Sequence, residues 1–203
     1  IYAGLNNLFG EVTWFYPGSG AASNNRSVTY NYMDSTPERP VWTTSTLARS
    51  AWSDSHIFGK PHGTEYDADA TSDTTVGNTD GVTIYYEHET GVNSIKDGAA
   101  SAISASIESG DFDISRTQGG GADLRGDGEY IMKIRRVLPD FLQQTGDARV
   151  TLNLKNYPTD SQTSSSLGPF TTTTSTTKID TRARARAISL KVDNTSTGQH
   201  WKL

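Results

Sequence analysis

Short segments in which apolar and polar residues alternate with a period of two recur along the whole chain. The pattern is clearest where Val150, Leu152 and Leu154 alternate with polar residues. Such alternation is typical of an antiparallel strand that buries one face and exposes the other. Further strands of this kind are predicted at residues 12–16, 28–32, 82–87 and 188–192. The sequence therefore predicts an all-β fold of antiparallel sheets.

One segment changes phase within this pattern. Ile103 and Ile107 occupy odd positions, whereas Phe112 and Ile114 occupy even positions. One extra residue in a strand restores the alternation, and that is what a β-bulge provides. We therefore expect a bulge near residues 109–110.

The segments between the predicted strands are long and polar. Gly, Pro, Ser and Thr dominate them, and several exceed the length of ordinary hairpin connections. The best helix candidate, at residues 139–144, is too short to organise a fold. The predicted loops lie at residues 17–20, 64–81, 119–128 and 161–177.

The composition limits the core and the classes of site. Hydrophobic residues make up 33% of the 203, so we expect a thin core or one that other chains complete. The absence of Cys excludes a disulfide framework and a thiolate metal site. A net charge of −5 disfavours a dedicated nucleic-acid binder, although it allows a local basic stripe. No long apolar run or basic leader occurs, so we expect no membrane span and no signal peptide.

Ten short segments, in order along the chain, carry a family resemblance. They are EVTWFYP (11–17), RSVTYNY (26–32), VW (41–42), TLARSAW (46–52), YYEHE (85–89), IESGDFDI (107–114), IRRVLPD (134–140), LKNYP (154–158), RARARAISLKV (182–192) and HWKL (200–203). Taken together, they resemble the C-terminal part of the tail nozzle or hub proteins of short-tailed bacteriophages. These are also described as packaged-DNA stabilisation proteins.

The resemblance implies a structural role in the virion. It implies a β-propeller-like protein that forms a homohexameric ring, extends and closes the DNA channel of the tail, and retains the genome until ejection. Residues 1–203 would then be a single all-β region, the C-terminal portion of a larger propeller-containing chain. Its partners would be adaptor, fibre or needle components and the packaged DNA, bound without sequence specificity. The alternatives are a receptor- or glycan-binding fibre or adhesin domain and a tail-associated glycan hydrolase.

Basic residues are concentrated in two predicted strands. Alternation with alanine at residues 182–187 places three guanidinium groups on one face of a strand, and residues 133–136 form a second basic segment. In a ring around DNA these groups could contact phosphates without reading bases. We favour the alternative, ion pairs with acidic residues within or between subunits. The residues are Arg182, Arg184, Arg186, Lys133, Arg135 and Arg136.

Aromatic residues are concentrated in the first quarter of the chain. Because several fall on the regular apolar faces and the core needs bulk, we predict that they pack in the core. A sugar-binding platform is the alternative. The predicted core aromatics are Trp14, Tyr16, Tyr30, Tyr32, Trp42 and Trp52.

Two carboxylate clusters are candidates for catalytic sites. A glycosidase needs two carboxylates on opposite sides of a cleft, one with a raised pKa, and neighbours on one strand do not by themselves make that cleft. We therefore expect solvated or ion-paired carboxylates, no catalytic residue and no enzymatic activity. The clusters are Glu108, Asp111 and Asp113, and Glu87 with Glu89.

A third cluster contains residues that could bind a metal. Its two His residues match no zinc spacing, and its acidic residues lack the further ligand and the glycine of a calcium loop. We expect no metal and no cofactor, with a weak calcium site in the acidic loop as the alternative. The cluster comprises His56, His62, Glu65, Asp67 and Asp69.

Overall fold

The computed structural model describes residues 1–67, 82–96, 98–114, 130–157, 163 and 165–203. These residues divide into two compact units, Ile1–Gly91 and Val92–Leu203. Every strand pairing is antiparallel, and the one helix of the described residues has four residues, so the predicted all-β class is confirmed. The sheets contain two to four strands, and within the described ranges none closes into a barrel or a propeller. No described helix is long and apolar enough to cross a membrane.

Unit 1 contains a four-stranded meander and a three-stranded sheet. The meander has the order β1-β2-β3-β4, and the second sheet has the order β5-β6-β7. A short helix, α1, begins after Asp54, whose side chain accepts a hydrogen bond from the Ser55 backbone, and ends at Gly59. The elements are β1 (Tyr2–Asn6), β2 (Glu11–Tyr16), β3 (Arg26–Thr36), β4 (Arg39–Ser45), β5 (Ala51–Ser53), α1 (Ser55–Phe58), β6 (His62–Asp67) and β7 (Val82–Glu87).

The inner face of the meander is not the face of β2 that alternation predicted, which carries Val12, Trp14 and Tyr16. Phe15 and Thr13 are buried, and Phe15 lies opposite the buried Ser27. The six predicted core aromatics are half-buried or exposed: Trp42 is 53% and Tyr32 is 44% exposed, so the core prediction is wrong for these two. Trp14, Tyr16, Tyr30 and Trp52 are half-buried. Either face of β2 has aromatic residues, so periodicity alone could not decide which face is inside.

Gly4 allows the Trp52 ring to lie directly on β1. A Cβ atom at residue 4 would stand 2.5 Å from Cδ1 of Trp52. The ring cannot easily move away, since it packs on Phe15 and His88 and its Nε1 donates a 2.7 Å hydrogen bond to the Leu5 carbonyl. Gly4 is therefore required by a close approach between side chain and backbone.

Substitution Gly4→Ala should lower the free energy of unfolding of unit 1 by about 1–3 kcal/mol, because it overpacks this contact. Chemical denaturation followed by tryptophan fluorescence measures the change. Gly110→Ala is the control, because open space surrounds the position of its added Cβ atom. Equal, small effects of the two substitutions would contradict the proposed contact.

Unit 2 is built around a four-stranded sheet with the order β10-β16-β13-β14. Three two-stranded sheets, β8-β9, β11-β15 and β12-β17, accompany it. All five predicted strands of the chain are present, two of them here as β13 and β16. The elements are β8 (Asn93–Lys96), β9 (Ala99–Ala102), β10 (Ala105–Glu108), β11 (Met132–Val137), β12 (Gln143–Thr145), β13 (Ala148–Lys155), β14 (Ser165–Thr172), β15 (Ile179–Ala185), β16 (Ala187–Asn194) and β17 (His200–Lys202).

The core of unit 2 lies between β13, β16 and the β11-β15 pair. Leu152 and Ile188 are almost completely buried, and they pack with Met132, Ala183 and Ala185. The alanines of β15 are small enough for its backbone to approach β13 closely. The alternation of β15 thus places its alanines in the core and its arginines outside.

The predicted bulge is confirmed. Ala105–Glu108 pairs in continuous register with β16, and the same register would place Asp111 opposite Ile188. Phe112 occupies that position instead, so one extra residue lies between Glu108 and Phe112. The Ser109 hydroxyl accepts a 2.9 Å hydrogen bond from the Leu190 backbone, which satisfies the amide at the bulge.

Two other predictions of local structure are wrong. Residues 139–144 form no helix: Leu142 N donates to Lys202 O, and β12 pairs with β17. A single isolated helical turn has little stability of its own. Pairing with a strand remote in sequence provides the backbone hydrogen bonds instead. Part of the predicted loop at 161–177 is β14, in which Phe170, Thr171 and Thr172, residue types that favour strands, pair with β13. The predicted loop at 119–128 and most of that at 64–81 lie outside the described residues.

Candidate functional site

A cluster of basic side chains occupies the outer face of the β11-β15 pair. Ala183 and Ala185 are buried, so the alternation of β15 directs Arg182 and Arg184 into solvent. Both arginines are exposed on a strand whose opposite face is fixed in the core of unit 2. The guanidinium groups are therefore presented by a strand that packing holds in place.

The pairing of β11 with β15 adds two more cations to this face. Lys133 lies directly opposite Arg184. The register shifts between Ile134 and Arg136, which places Arg135 across from residues 181–182. The four exposed cations line one groove of about 800 Å³, together with Asp180 and Thr181. We call this surface the basic face, defined by Lys133, Arg135, Arg182 and Arg184.

The other two predicted basic residues have different surroundings. Arg136 Nε lies 2.6 Å from Asp180 Oδ1, and this hydrogen bond lowers the pKa of the Asp180 carboxyl. Lys178 Nζ lies 3.4 Å from the same carboxylate. Arg186 is half-buried at the bend where β15 passes into β16. Four of the six predicted residues thus line one groove. Arg136 adjoins it through Asp180, and Arg186 lines a second groove together with Arg184.

The basic face has no internal counter-charge among the described residues. Within the described ranges, no ion pair or side-chain hydrogen bond is made by any of its four members, Lys133, Arg135, Arg182 and Arg184. Asp180 is the one carboxylate of the groove, and Arg136 and Lys178 already bind it. The sequence favoured ion pairs within or between subunits; among the described residues these four make none within the chain, and pairing between subunits stays a prediction.

Unit 1 contains a buried polar cluster that sequence reasoning did not find. Arg49 is 6% exposed, and its guanidinium lies 3.2 Å from Glu65 Oε2. Arg49 Nε donates a 3.0 Å hydrogen bond to His88 Nε2, and the Arg49 guanidinium stacks 4.1 Å from the centre of the Tyr86 ring. The burial of Tyr2 raises its pKa to about 12, an effect that Arg49 opposes. No local pattern connects residues so distant in sequence, so only the tertiary structure identifies them.

His88 is held in its neutral form by this cluster. Its Nε2 accepts a hydrogen bond from Arg49, and its ring packs 4.5 Å from the Trp52 ring. Burial, the Arg49 charge and His62 together lower the pKa of His88 to about 4. A proton on Nε2 would face the guanidinium directly. The folded state therefore disfavours protonation of His88.

Unit 1 should consequently become less stable as the pH falls from about 6.5 to about 4. The unfolded chain binds the proton first in this range, so protonation favours unfolding. Because His88 is partly exposed, we expect its contribution to be about 1–3 kcal/mol. His88→Gln, whose carbonyl can still accept from Arg49, should flatten the pH dependence measured by denaturation. The exposed His56→Gln is the control; identical pH profiles for both variants would contradict the assignment.

The carboxylate clusters are occupied by structural contacts. Glu108 accepts hydrogen bonds of 2.6 Å from both Ser189 and Asn153, and these lower its pKa. Asp111 pairs with Lys155. A general acid of a glycosidase needs a raised pKa, so the surroundings of Glu108 favour the opposite protonation state.

The second carboxylate cluster behaves in the same way. Hydrogen bonds from Thr90 and Lys60 lower the pKa of Glu87. Glu89 accepts a hydrogen bond from the Asn6 amide. Both carboxylates are therefore held by side chains of unit 1.

The residues considered for metal binding do not converge within the described ranges. No group of three or more His, Asp or Glu residues is placed there to hold an ion. His62 Nδ1 lies 2.6 Å from the Tyr85 hydroxyl, and His56 lies beside Asp54. Glu65 is bound by Arg49. Asp69 and the side chain of Asp67 lie outside the described part of the chain.

The outer face of the meander carries a partly exposed aromatic row. Trp42 contacts Tyr30 at a centroid distance of 4.7 Å and Trp14 at 6.0 Å. Cross-strand pairing produces this row, since Tyr30 lies opposite Trp42 on β4. Aromatic neighbours of this kind stabilise a sheet whether or not they bind a ligand.

Comparison with known proteins does not assign a family. No family model matches the chain, and no curated protein matches it significantly.

Proposed function

We propose that this chain is a virion structural protein of a short-tailed bacteriophage, a non-catalytic nozzle or hub subunit of the tail. It forms a homohexameric ring that extends and closes the DNA channel and retains the genome until ejection. The observation that carries the proposal is the basic face. A fixed surface with four exposed cations suits a large anionic partner rather than a reaction on a small substrate.

The topology of unit 1 supports the propeller-like part of the proposal. Blades of β-propellers are four-stranded antiparallel sheets, and the meander β1-β2-β3-β4 has this arrangement. Further blades would come from additional strands of a longer chain. The region 1–203 is proposed as the C-terminal portion of that chain.

The sparse apolar interior of unit 1 supports assembly with other subunits. Phe15 is the one large hydrophobic side chain that is fully buried among the described side chains of this unit. Trp42 and Met33 are largely exposed on neighbouring strands. Burial of such side chains against adaptor, fibre or needle components, or against the next subunit, would add the stabilisation that the small core lacks.

Cryo-electron microscopy of intact particles tests the proposal. We expect six copies around the tail axis below the portal, with the chain lining the channel. Peripheral copies in groups of three would overturn it and make receptor binding the leading function.

The aromatic row favours one second candidate, a receptor- or glycan-binding fibre or adhesin domain. Aromatic faces can cover the C–H groups of sugars, and Trp42 is exposed enough to be reached by such a ligand. Host polysaccharide binding that is lost in Trp42→Ala and kept in Tyr66→Ala would support this candidate. Tyr66 is a comparably exposed aromatic residue of unit 1 outside the row.

A further inference from the structure

We infer that the basic face is a binding site for the phosphate backbone of duplex DNA that does not read base sequence. This inference rests on the proposed function, because a place in the tail channel is what brings the chain next to DNA. It goes beyond that function because it assigns the ligand chemistry to Lys133, Arg135, Arg182 and Arg184.

The charge distribution favours an external anion. Four cations lie on one face of a chain whose net charge is −5, and the one carboxylate of their groove, Asp180, is already bound by Arg136 and Lys178. Like charges on neighbouring strands repel each other, and Lys133 lies directly opposite Arg184. Binding of a polyanion would relieve this repulsion.

The side chains are suited to phosphate oxygens. Arginine presents a planar fork of donors that binds phosphate through two parallel hydrogen bonds, and three of the four cations are arginines. Arg182 and Arg184 are two residues apart on a strand, a rise of about 6.8 Å. The cations therefore form a row, and an extended backbone can contact several of them at once.

Apart from its cations, the groove lacks groups that read adenine edges or stack on bases. Its other side chains are Ile134, Asp180, Thr181 and Ala183, with no Asn, Gln or aromatic residue. Asn and Gln are the side chains that pair with adenine edges, and aromatic residues are those that stack on exposed bases. Arginine and lysine can bind guanine edges as well as phosphates, so equal binding to AT-rich and GC-rich DNA is the specific expectation of backbone binding. Such binding depends on charge and salt concentration, which is compatible with DNA that slides.

An acidic surface of a second copy is the competing partner, and it fits less well. The most acidic stretch of the sequence spreads Glu65, Asp67, Asp69, Asp73 and Asp80 over residues 64–81. Glu65 is already bound by Arg49. DNA offers a far denser row of charge, about one per 1.7 Å of helix axis.

Fluorescence anisotropy of the full chain with short AT-rich and GC-rich duplexes tests the inference. We expect equal binding to the two duplexes and a slope of log K against log salt of about −3 to −4, as four phosphate contacts require. Arg182→Gln with Arg184→Gln should reduce the magnitude of the slope by about 2 and weaken binding by roughly 10- to 100-fold. The matched control is Arg26→Gln with Arg39→Gln, which removes the same charge from exposed strand positions of unit 1 and should change affinity by less than about twofold.

Three results would overturn the inference: no salt-dependent DNA binding, equal weakening in both double variants, or a strong preference for one duplex. Analytical sedimentation of the same proteins tests the competing hypothesis, in which the basic face binds a second copy of the chain. Salt-sensitive self-association that Arg182→Gln with Arg184→Gln abolishes, without effect on DNA binding, would make the face a subunit interface. Microscopy of particles tests the tail location separately, so DNA binding by a peripheral chain would refute the proposed function and leave this inference standing.

Discussion

Replacement of Arg49 by Ala should lower the free energy of unfolding of unit 1 by about 2–4 kcal/mol. The guanidinium is buried and contacts Glu65, His88 and the Tyr86 ring, so its removal leaves two polar groups without their partner. Loss of one member of a fully buried pair costs about 3–5 kcal/mol. We expect a lower value, because the Glu65 side chain is 26% exposed and water can partly solvate it.

Tryptophan fluorescence during chemical denaturation is a suitable measurement, since Trp14, Trp42 and Trp52 all lie in unit 1. The exposed Arg26→Ala controls for general loss of positive charge. The double variant Arg49→Met with Glu65→Gln should recover most of the lost stability, because it removes both charges and keeps the volume. If Arg49→Ala costs no more than Arg26→Ala, the cluster does not stabilise unit 1.

Replacement of Leu152 by Ala should destabilise unit 2 by about 2–5 kcal/mol. Leu152 is 1% exposed at the centre of β13, where it packs with Met132, Ala183, Ala185 and Ile188. The truncation removes apolar contacts and leaves a cavity that the surrounding sheet cannot fully close. Because the buried alanines of β15 pack against Leu152, the strand that carries Arg182 and Arg184 should become less rigidly held as well.

Hydrogen exchange resolves the two units and is the measurement of choice here. Peptides from β13, β15 and β16 should lose protection in Leu152→Ala, and peptides from unit 1 should not. Leu142→Ala is the control, because that side chain is 70% exposed and its loss should cost less than about 0.5 kcal/mol. Equal loss of protection in both variants would show that Leu152 is not a core residue.

The basic face illustrates how much of a site a sequence can predict. Alternation with alanine correctly indicated that Arg182 and Arg184 share an exposed face, because strand geometry alone places every second side chain together. The same rule failed for Arg186, since the chain bends there as it passes from one sheet to another. Strand periodicity holds only while a strand remains in one sheet.

The partners of charged residues could not be read from the sequence. Ion pairs within or between subunits are the expectation from sequence for these basic residues. Arg136 pairs with Asp180 on the adjacent strand, whereas Lys133, Arg135, Arg182 and Arg184 make no ion pair among the described residues. Arg49, which no pattern singled out, makes the most buried ion pair of the described residues. Pairing of charges depends on strand register and sheet packing, which bring together residues far apart in sequence.

The sequence by itself determined the all-β class, the five alternating strands and the bulge after Glu108, because these follow from a local period of two and from its change of phase. Only the tertiary structure decided which face of β2 is buried, since aromatic residues occupy both faces and burial depends on what packs against them. It also decided that residues 143–145 pair with β17 instead of forming the predicted helix. The pairing of β11 with β15 likewise placed Lys133 and Arg135 on the same face as the arginines of β15. These features depend on hydrogen bonds and packing between segments that are far apart in the sequence. A local pattern contains no information about such contacts.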